Sequence, residues 1–450
     1  MLRIIQGNRK KLLAEVRALK ERLSVLEGIQ MKKSRERGRR LFGRRVPARE
    51  IVRRIVDDVR RRGDEALAAY TRRLDGVDLE DVGLRVGADE IRRARNRCPR
   101  ELMRALAAAK KRIEEYQRHF APEEKPALRA EGRILAQKLL ALARVGVYVP
   151  GGEAAYPSTV LMTVVPARVA GVKEIALATP PRRDGTVHEA VLAAAALAGV
   201  KEIYRMGGAQ AIAALAYGTR TVPRVDKITG PGNIFVALAK REVFGVVDVD
   251  LLAGPSEVLL LADAGANAEF LAADLAAQAE HAPGVGVLAA TSAGVVLRTR
   301  RALAKMMSGL SRSQAIREAL SEFSVAFVVR SLEELVDLAN ELAAEHVEVH
   351  TKRAGELARS IRNAGAVFVG EGTPTALGDY IAGPSHTLPT GGTSRFFSGL
   401  SAHDFVRRMS VVRYVRRGLL LDGPAARALA AAEGLSAHEL SLRLRVERTR

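Results

Sequence analysis

The sequence predicts an α/β protein with two Rossmann-like parallel-sheet domains, one inserted in the other, plus a helical N-terminal arm and a small C-terminal domain. Three observations support this prediction. The chain has 450 residues, which is more than one compact core usually accommodates. Short apolar runs alternate with helical runs from residue 145, with glycines at the changes, and a similar series starts near residue 258. Such alternation is typical of βαβ units in parallel sheets.

The N-terminal segment 8–27 predicts an amphipathic helix, the core of an arm that we assign to residues 1–46. Its apolar residues recur at alternating spacings of four and three, as in a heptad seam: Leu12, Val16, Leu19, Leu23 and Leu26. The seam has two interpretations, which the sequence leaves open. The helix docks on a partner subunit, or it folds back on its own domain. The basic run 32–45 is predicted to be a linker.

Helices with short breaks are predicted over residues 48–120, before the two alternating series. In the first series, strands at 145–149, 174–179 and 203–206 alternate with helices at 159–169, 188–198 and 209–217. In the second, strands at 258–262, 286–290, 325–329 and 366–369 alternate with helices at 266–280, 297–307 and 332–343. The predicted domains are 47–146 with 255–400, the inserted 147–254, and 401–450. The last of them has mixed character and ends in an amphipathic run, 425–444.

The charge and cysteine content narrow the function classes. The net charge is +21, which suits a nucleic-acid partner or an Arg-rich solvated surface. We favour the surface, because the arginines are scattered over helical segments and no aromatic-studded basic stripe is present. Cys98 is the only cysteine, so an intrachain disulfide and a cysteine zinc cluster are excluded. With no signal-peptide pattern and no apolar run of bilayer length, we expect a cytoplasmic protein without membrane contact.

Two pairs of polar residues lie at or just beyond the C-terminal ends of predicted helices. Gln278 and His281 are three residues apart and share a helix face, so an amide oxygen and an imidazole can point at one metal ion. The alternative is a histidine that interacts with the helix dipole. Glu345 and His346 come directly after the helix at 332–343. At a helix end that opens into a cleft they could serve as two bases, and the alternative is an ordinary surface pair.

Two further segments carry candidate polar residues. Asp379 and His386 lie in the Gly- and Pro-rich stretch 370–392, and loops of that length are usually functional or disordered. Glu433 and His438 flank Ser436 near the C-terminus, where the alternative interpretation is a simple helix cap.

Gly-rich turns at 150–152, 207–210 and 230–233 are the candidate nucleotide contacts. The middle turn follows a predicted strand and opens a helix, so its backbone N–H groups can face a phosphate. None of the three is the G-x-G-x-x-G fingerprint. A dinucleotide would therefore bind by an unorthodox route.

Ten blocks, taken together, resemble the histidinol dehydrogenase family. They are Tyr148-Val-Pro-Gly-Gly, Ser158-Thr-Val-Leu-Met, Gly207-Gly-Ala-Gln-Ala-Ile-Ala-Ala-Leu, Lys227-Ile-Thr-Gly-Pro-Gly-Asn, Asp250-Leu-Leu-Ala-Gly-Pro-Ser-Glu-Val, Gln278-x-x-His281, Glu345-His346, Gly378-Asp-Tyr, His386-x-Leu-Pro-Thr and Glu433-Gly-Leu-x-Ala-His. The resemblance runs from about residue 48 to residue 446 with order and spacing kept. Ten ordered blocks are a specific signal, although nothing is carried over to the first forty or so residues.

The resemblance implies an NAD-dependent, four-electron oxidation of L-histidinol to L-histidine through L-histidinaldehyde, the last steps of histidine biosynthesis. It implies one zinc per subunit, bound by Gln278, His281, Asp379 and His438, with His438 supplied by the other subunit of a homodimer. The implied substrate contacts are Ser256, Gln278, His281, His346, Asp379, Glu433, His438 and His386. The implied NAD contacts are Tyr148, Gln210 and Asn233. Glu345 and His346 would be the catalytic bases.

Two other functions remain as alternatives. One is a paralogue with the same zinc site that oxidises another amino alcohol or a diol. Glu433 and His386 argue against it, since a carboxylate suits the ammonium of histidinol and an imidazole suits its ring. The other is a basic nucleic-acid-binding protein that has lost catalysis. The presence of every candidate ligand and base in the sequence argues against that alternative.

Overall fold

The computed structural model describes residues 2–24, 38, 41–151, 155–252, 254–281 and 284–449. The strands in these ranges are β1 (Arg3–Gln6), β2 (Leu128–Ala130), β3 (Arg133–Ala141), β4 (Arg144–Tyr148), β5 (Glu174–Thr179), β6 (Glu202–Arg205), β7 (Lys227–Thr229), β8 (Asp248–Val249), β9 (Ser256–Ala262), β10 (Gly284–Ala290), β11 (Val325–Val328), β12 (His346–His350), β13 (Ala366–Val369) and β14 (Val406–Tyr414).

The helices in the same ranges are α1 (Arg9–Ser24), α2 (Ala48–Arg62), α3 (Asp64–Asp75), α4 (Leu79–Val82), α5 (Ala88–Arg97), α6 (Arg100–His119), α7 (Pro157–Val169), α8 (Glu189–Leu197), α9 (Gly208–Tyr217), α10 (Ile234–Val243), α11 (Ala268–Ala279), α12 (Ala293–Met306), α13 (Ser313–Glu322), α14 (Leu332–Leu342), α15 (Ala354–Ser360), α16 (Thr375–Tyr380), α17 (Arg416–Ala432) and α18 (Ser436–Thr449). Each of these helices is too short or too polar to span a bilayer.

Two parallel sheets dominate the fold, and the predicted α/β class is confirmed. One has the strand order β1-β11-β10-β9-β12-β13, and the other has the order β6-β5-β4-β7-β8. In each sheet one central strand, β9 or β4, has the next two strands of the chain on one side and the following two on its other side. Strands β4 to β8 stand between β1 and β9 in the chain, so one sheet is inserted in the other. The central strands β9 and β10 are almost fully buried, as apolar strands covered on both faces must be.

Helices α2 to α6 cover the inserted, five-stranded sheet. Ile51 and Ile55 of α2 share a core with residues of α9 and α10, and Ile113 of α6 lies in a second core with residues of α7. Apolar side chains at helical spacing bury one face of each helix against the sheet layer. The predicted domain boundaries remain a proposal, and this packing favours grouping residues 48–119 with 147–254.

The N-terminal segment folds back on its own chain. Strand β1 adds a parallel edge strand beside β11. Leu12, Val16 and Leu19 of α1 are buried in one core with residues of α14. Of the two interpretations of the seam, the described part shows the second for these three residues. The side chain of Leu23, Leu26 and most of the predicted linker 32–45 lie outside the described residues.

The C-terminal part forms an antiparallel sheet and a helical hairpin. Strand β14 pairs with β3 along its whole length, and β2 completes this third sheet. Helices α17 and α18 pack on each other. This hairpin leaves five leucines exposed, four on the helices and one between them: Leu421, Leu429, Leu435, Leu440 and Leu444. The amphipathic run predicted at 425–444 therefore spans two helices, separated by Gly434, whose φ of 71° ends the first.

Candidate active site

The candidate catalytic residues gather at the amino ends of strands in the six-stranded sheet. Ser256 is the first residue of β9, His346 is the first residue of β12, and Gln278 lies one residue before the end of α11, ahead of β10. The pairing of β12 with β9 brings the first two strands side by side. Ligands of open parallel sheets usually bind at the carboxyl ends of strands, so this site lies at the opposite edge.

Glu345 is a buried carboxyl group held by two donors. Its Oε2 accepts a 2.7 Å hydrogen bond from the Ser256 hydroxyl and a 3.0 Å bond from the backbone N–H of Glu257. Burial raises the pKa of Glu345 to about 7, although these two hydrogen bonds oppose the shift. A carboxyl group with this pKa can release and accept a proton near neutral pH.

His346 is a buried imidazole with one free nitrogen. Its Nδ1 lies 3.1 Å from the backbone carbonyl oxygen of Glu257, to which an Nδ1–H can donate. Its Nε2 is buried and has no hydrogen-bond partner among the described residues, and the nearest carboxylate oxygen, on Asp379, lies 3.7 Å away. Burial lowers the pKa of His346, so the neutral ring is favoured and Nε2 is the basic atom.

The local backbone explains why Glu345 and His346 lie deep in the protein. Helix α14 ends at Leu342, and Ala343 takes a left-handed φ of 54° that turns the chain into β12. The sequence-based expectation of a helix end is corrected here: the pair follows the helix but His346 already belongs to a central strand. Gly365, at the neighbouring strand, allows close approach, since a Cβ there would lie 2.5 Å from the carbonyl oxygen of Glu345.

Gln278 and His281 lie at the end of α11 and just beyond it, close to Gly284, the first residue of β10. A Cβ on Gly284 would lie 1.9 Å from the carbonyl oxygen of Gln278, so only glycine fits at this position. Gln278 is buried and its Nε2 donates a 2.9 Å hydrogen bond to the Ser256 hydroxyl oxygen. Within the described ranges, the Oε1 atom of Gln278 and both ring nitrogens of His281 have no hydrogen-bond partner. These atoms are therefore available as ligands.

Asp379 and His386 are tied to each other. The carbonyl oxygen of Asp379 lies 2.9 Å from Nδ1 of His386, whose Nε2 lies 3.1 Å from the Thr159 hydroxyl. Burial raises the pKa of Asp379 to about 6 and lowers that of His386 to about 4. Both nitrogens of His386 thus have partners within the chain. Its predicted contact with substrate remains a prediction.

Glu433 and His438 do not join the other candidates within one chain. Both are exposed, Glu433 at the end of α17 and His438 in the first turn of α18. Neither side chain forms a hydrogen bond or an ion pair with another described residue, although the backbone N–H of Glu433 donates to the carbonyl oxygen of Leu429 within the end of α17. The single chain therefore brings together Ser256, Gln278, Glu345, His346 and Asp379, but leaves the two C-terminal residues outside.

The three candidate nucleotide contacts line one cleft of about 850 Å³. It opens at the carboxyl ends of β4, β5 and β6, where Tyr148 and the N-terminus of α9 meet. The Tyr148 hydroxyl accepts a 3.2 Å hydrogen bond from the N–H of Gly208. Gln210 is buried with Oε1 unpaired, and Asn233 caps α10. Gly152, part of the turn at 150–152, lies outside the described residues.

One cluster was missed by the sequence analysis. Asp274, Glu348 and His350 offer one ligand atom each, and these atoms lie within 4.8 Å of one another. The available signal was the alternation of polar residues at 346, 348 and 350, which share one face if the segment is a strand. The helix-end interpretation of Glu345 and His346 concealed it.

Comparisons with known proteins identify the relatives. A family model described as histidinol dehydrogenase matches residues 43–446. The histidinol dehydrogenase of Moorella thermoacetica is 48% identical over 426 residues, which cover 94% of this chain and 100% of the relative. That of Bacillus cereus is 41% identical over 447 residues, 99% of either chain. The crystal structure of histidinol dehydrogenase from Elizabethkingia anophelis is 33% identical, with a TM-score of 0.89 over 99% of this chain and 98% of that chain. The resemblance in the ten blocks is confirmed.

The hydrogen bond from Ser256 leads to a prediction about proton binding at Glu345. Because the hydroxyl stabilises the carboxylate, Ser256→Ala should raise the pKa of Glu345 further above about 7, so the carboxylate forms at higher pH. Infrared spectra recorded against pH can follow the carboxyl band that Glu345→Gln removes. Ser324→Ala is the matched control, since Ser324 accepts a bond from Gly286 elsewhere in the same sheet. An unchanged or lower pKa in Ser256→Ala would contradict the assignment.

Proposed function

The chain belongs to the histidinol dehydrogenase family of oxidoreductases, and we propose that it oxidises L-histidinol to L-histidine through L-histidinaldehyde with NAD. The first step passes a hydride to one NAD⁺ and releases one proton. The second consumes a water molecule, passes a hydride to a second NAD⁺ and releases two protons, because the carboxyl group of the product is ionised at neutral pH. The observation that carries the proposal is the buried pair formed by Glu345 and His346, an acid with a pKa near neutrality beside a neutral imidazole. The site can thus accept a proton at each step.

We assign removal of the alcohol proton to His346. Its Nε2 is buried without a partner in the described part of the chain, while Nδ1 is held at the carbonyl oxygen of Glu257. The ring is therefore fixed in the tautomer whose lone pair faces the site. A buried, neutral imidazole is a base of suitable strength at neutral pH.

We assign activation of water in the second step to Glu345. Its Oε2 is occupied by the Ser256 hydroxyl and the Glu257 N–H, whereas Oε1 has no donor among the described residues. A carboxylate with one free oxygen and a pKa of about 7 can take a proton from water. Because both bases are buried, the reactive aldehyde would form away from bulk solvent.

The NAD site of the proposal is the cleft on the five-stranded sheet. Tyr148, Gln210 and Asn233 line it, together with the arginines Arg182 and Arg183. The N-terminus of α9 at Gly208 offers backbone N–H groups and the positive end of the helix dipole, which suits a pyrophosphate. The unpaired, buried Oε1 of Gln210 can accept a hydrogen bond from the cofactor.

Zinc fits the donors that the chain presents. Gln278 has its amide oxygen free because the amide nitrogen is bound to Ser256, and His281 and Asp379 add an imidazole and a carboxylate. This N/O set suits zinc and other divalent ions. When bound, zinc would hold the imidazole and amine of the substrate and could polarise its reacting oxygen. We propose His438 as the fourth ligand.

A homodimer accounts for the two residues that the chain leaves outside. Glu433 and His438 are exposed on a helical hairpin whose outer leucines are also exposed. Solvent-exposed apolar side chains in such a group indicate a surface that another chain covers. We propose that this hairpin crosses to the partner subunit and supplies Glu433 and His438 to its site. As a biosynthetic enzyme, the protein would act in the cytoplasm.

The alternatives set out from the sequence are less well supported. The family assignment disfavours a nucleic-acid-binding protein that has lost catalysis, and the described site keeps both bases buried and available. A paralogue acting on another amino alcohol would use the same geometry. Comparing the turnover of histidinol with that of alcohols lacking an imidazole distinguishes this paralogue from an enzyme that oxidises histidinol.

The first prediction concerns stoichiometry and metal. Complete oxidation should form two NADH for each histidinol consumed, since four electrons leave the substrate. Because the donor set contains no thiolate, a chelator should remove the metal and abolish NADH formation, and added zinc should restore it. The measurement is NADH absorbance against histidinol consumed, before and after chelation. Active, purified protein without a stoichiometric divalent metal would refute the zinc site.

The second prediction tests the exchange of C-terminal residues between subunits. His438→Ala chains and Glu345→Ala/His346→Ala chains should each be inactive, but their mixture should regain activity. One site of a mixed dimer then receives intact bases from one chain and an intact His438 from the other. Activity is measured after subunit exchange has been verified by mass. Exchange without recovered activity would place all ligands in one chain.

The third prediction divides the chemistry between the two bases. Glu345→Gln keeps the shape but removes the base, so it should slow oxidation of histidinaldehyde more than the first hydride transfer. His346→Asn should slow both steps. A positioned base contributes roughly 10²–10⁴-fold, so either loss is measurable by single-turnover NADH formation from each substrate. Equal slowing by Glu345→Gln, with the second step spared in His346→Asn, would show that the roles are reversed.

A further inference from the structure

The buried cluster of Asp274, Glu348 and His350 lies next to the active site but takes no part in the proposed chemistry. Glu348 and His350 are essentially inaccessible to solvent, and their side chains follow His346 at two-residue intervals on β12. Alternate residues of a strand share a face, so all three point toward the same layer. The intervening Val347 and Val349 face the apolar core on the other side.

Glu348 uses both carboxylate oxygens within the chain. Its Oε1 accepts a 2.7 Å hydrogen bond from the backbone N–H of Thr375 and a 2.6 Å bond from the Thr375 hydroxyl. Its Oε2 accepts a 2.8 Å bond from Nε2 of His350, which also lies 3.9 Å from Asp274. Thr375 is the first residue of α16, so the carboxylate satisfies an N-terminal N–H of that helix and complements its dipole.

Two neighbours of Glu348 lie one helical turn before two of the proposed zinc ligands. Asp274 precedes Gln278 by four residues on α11, and Thr375 precedes Asp379 by four residues on α16. Residues four apart on a helix lie one above the other on the same face. The cluster therefore contacts α11 one turn before Gln278 and α16 one turn before Asp379. Strand β12, which carries Glu348 and His350, links the two contacts.

The charge state of the cluster suits hydrogen bonding. Burial, with Glu348 nearby, raises the pKa of Asp274 to about 7. Burial opposes ionisation of Glu348, but hydrogen bonds from His350 and Thr375 outweigh it and lower the pKa of Glu348. The cluster is thus a carboxylate surrounded by donors. Since its oxygens already have protein partners, a metal ion there would have to displace or share them.

We propose that Asp274, Glu348, His350 and Thr375 form a brace that positions α11 and α16 so that Gln278 and Asp379 meet at one zinc ion. This inference depends on the zinc ligands proposed above. Glu348 is its central positioning residue. Groups that orient metal ligands from outside the coordination sphere typically alter metal affinity by roughly 10–100-fold when they are replaced. The brace should therefore be visible in zinc binding itself, apart from turnover.

The experiment compares variants that alter the brace by single groups. Thr375→Val keeps the shape but removes the hydroxyl donor, and Glu348→Gln replaces an acceptor oxygen by an amide nitrogen. Thr375→Ser keeps the hydroxyl and should behave like the wild type. Asp404→Asn is the matched control. Asp404 also accepts hydrogen bonds from a backbone N–H and a hydroxyl, both of Ser401, but it lies in a short helical turn that packs against the five-stranded sheet. Zinc dissociation constants are measured by competition with a chelating dye on full-length protein, with zinc content and the Tm of the metal-free form.

Four results are decisive. The brace is supported if the wild type binds one zinc per chain, and if Thr375→Val and Glu348→Gln weaken zinc binding by roughly tenfold or more while Thr375→Ser and Asp404→Asn do not. It is refuted if those two variants leave the zinc dissociation constant unchanged, whether or not they lower the Tm of the metal-free form. It is also refuted if the wild type binds a second zinc that Glu348→Gln abolishes, since the cluster would then be a metal site. A wild type without zinc refutes the proposed ligand set together with the brace.

Discussion

Burial of an acid and an imidazole side by side, at the amino end of a central strand, is the constraint on which the site depends. Burial removes both groups from water and therefore favours their neutral forms. The pKa of Glu345 rises and that of His346 falls for this reason. Buried polar groups need partners. Ser256 and the backbone of Glu257 supply partners for Oε2 of Glu345 and Nδ1 of His346. The other two atoms, Oε1 of Glu345 and Nε2 of His346, have no hydrogen-bond partner among the described residues, and these are the atoms to which we assign the proton transfers.

The two sheets contribute opposite ends of their strands to the two candidate sites. In the five-stranded sheet, the cleft opens where the strands end and helix N-termini point, which is the usual place for an anionic cofactor. In the six-stranded sheet, the two proposed bases lie where β9 and β12 begin. Helix α11 ends at the same edge, where the backbone of Gln278 and His281 lies close to Gly284.

Much of the fold follows from local sequence pattern. The strands predicted at 174–179 and 366–369 are the observed β5 and β13, and the helix predicted at 332–343 is α14 within one residue. The strands missed from the sequence include short ones, β2, β7 and β8, and longer ones of two kinds. The edge strand β1 and the antiparallel β3 and β14 are partly exposed, and polar residues flank or interrupt their short apolar runs. The central strand β12 carries three polar residues, which concealed its strand character.

The sequence by itself determined the α/β class, the family and the residue types from which the site is built, because those depend on local periodicity and on motifs in order. It could not decide where the seam of α1 docks, since an apolar stripe fits any apolar partner, and only the packed core shows Leu12 and Val16 against α14. It also could not show that Glu348 links Thr375 and His350, residues brought together only by the register of the sheet and the packing of α16. The tertiary structure decided these contacts because burial and hydrogen-bond partners depend on residues that are distant in the chain.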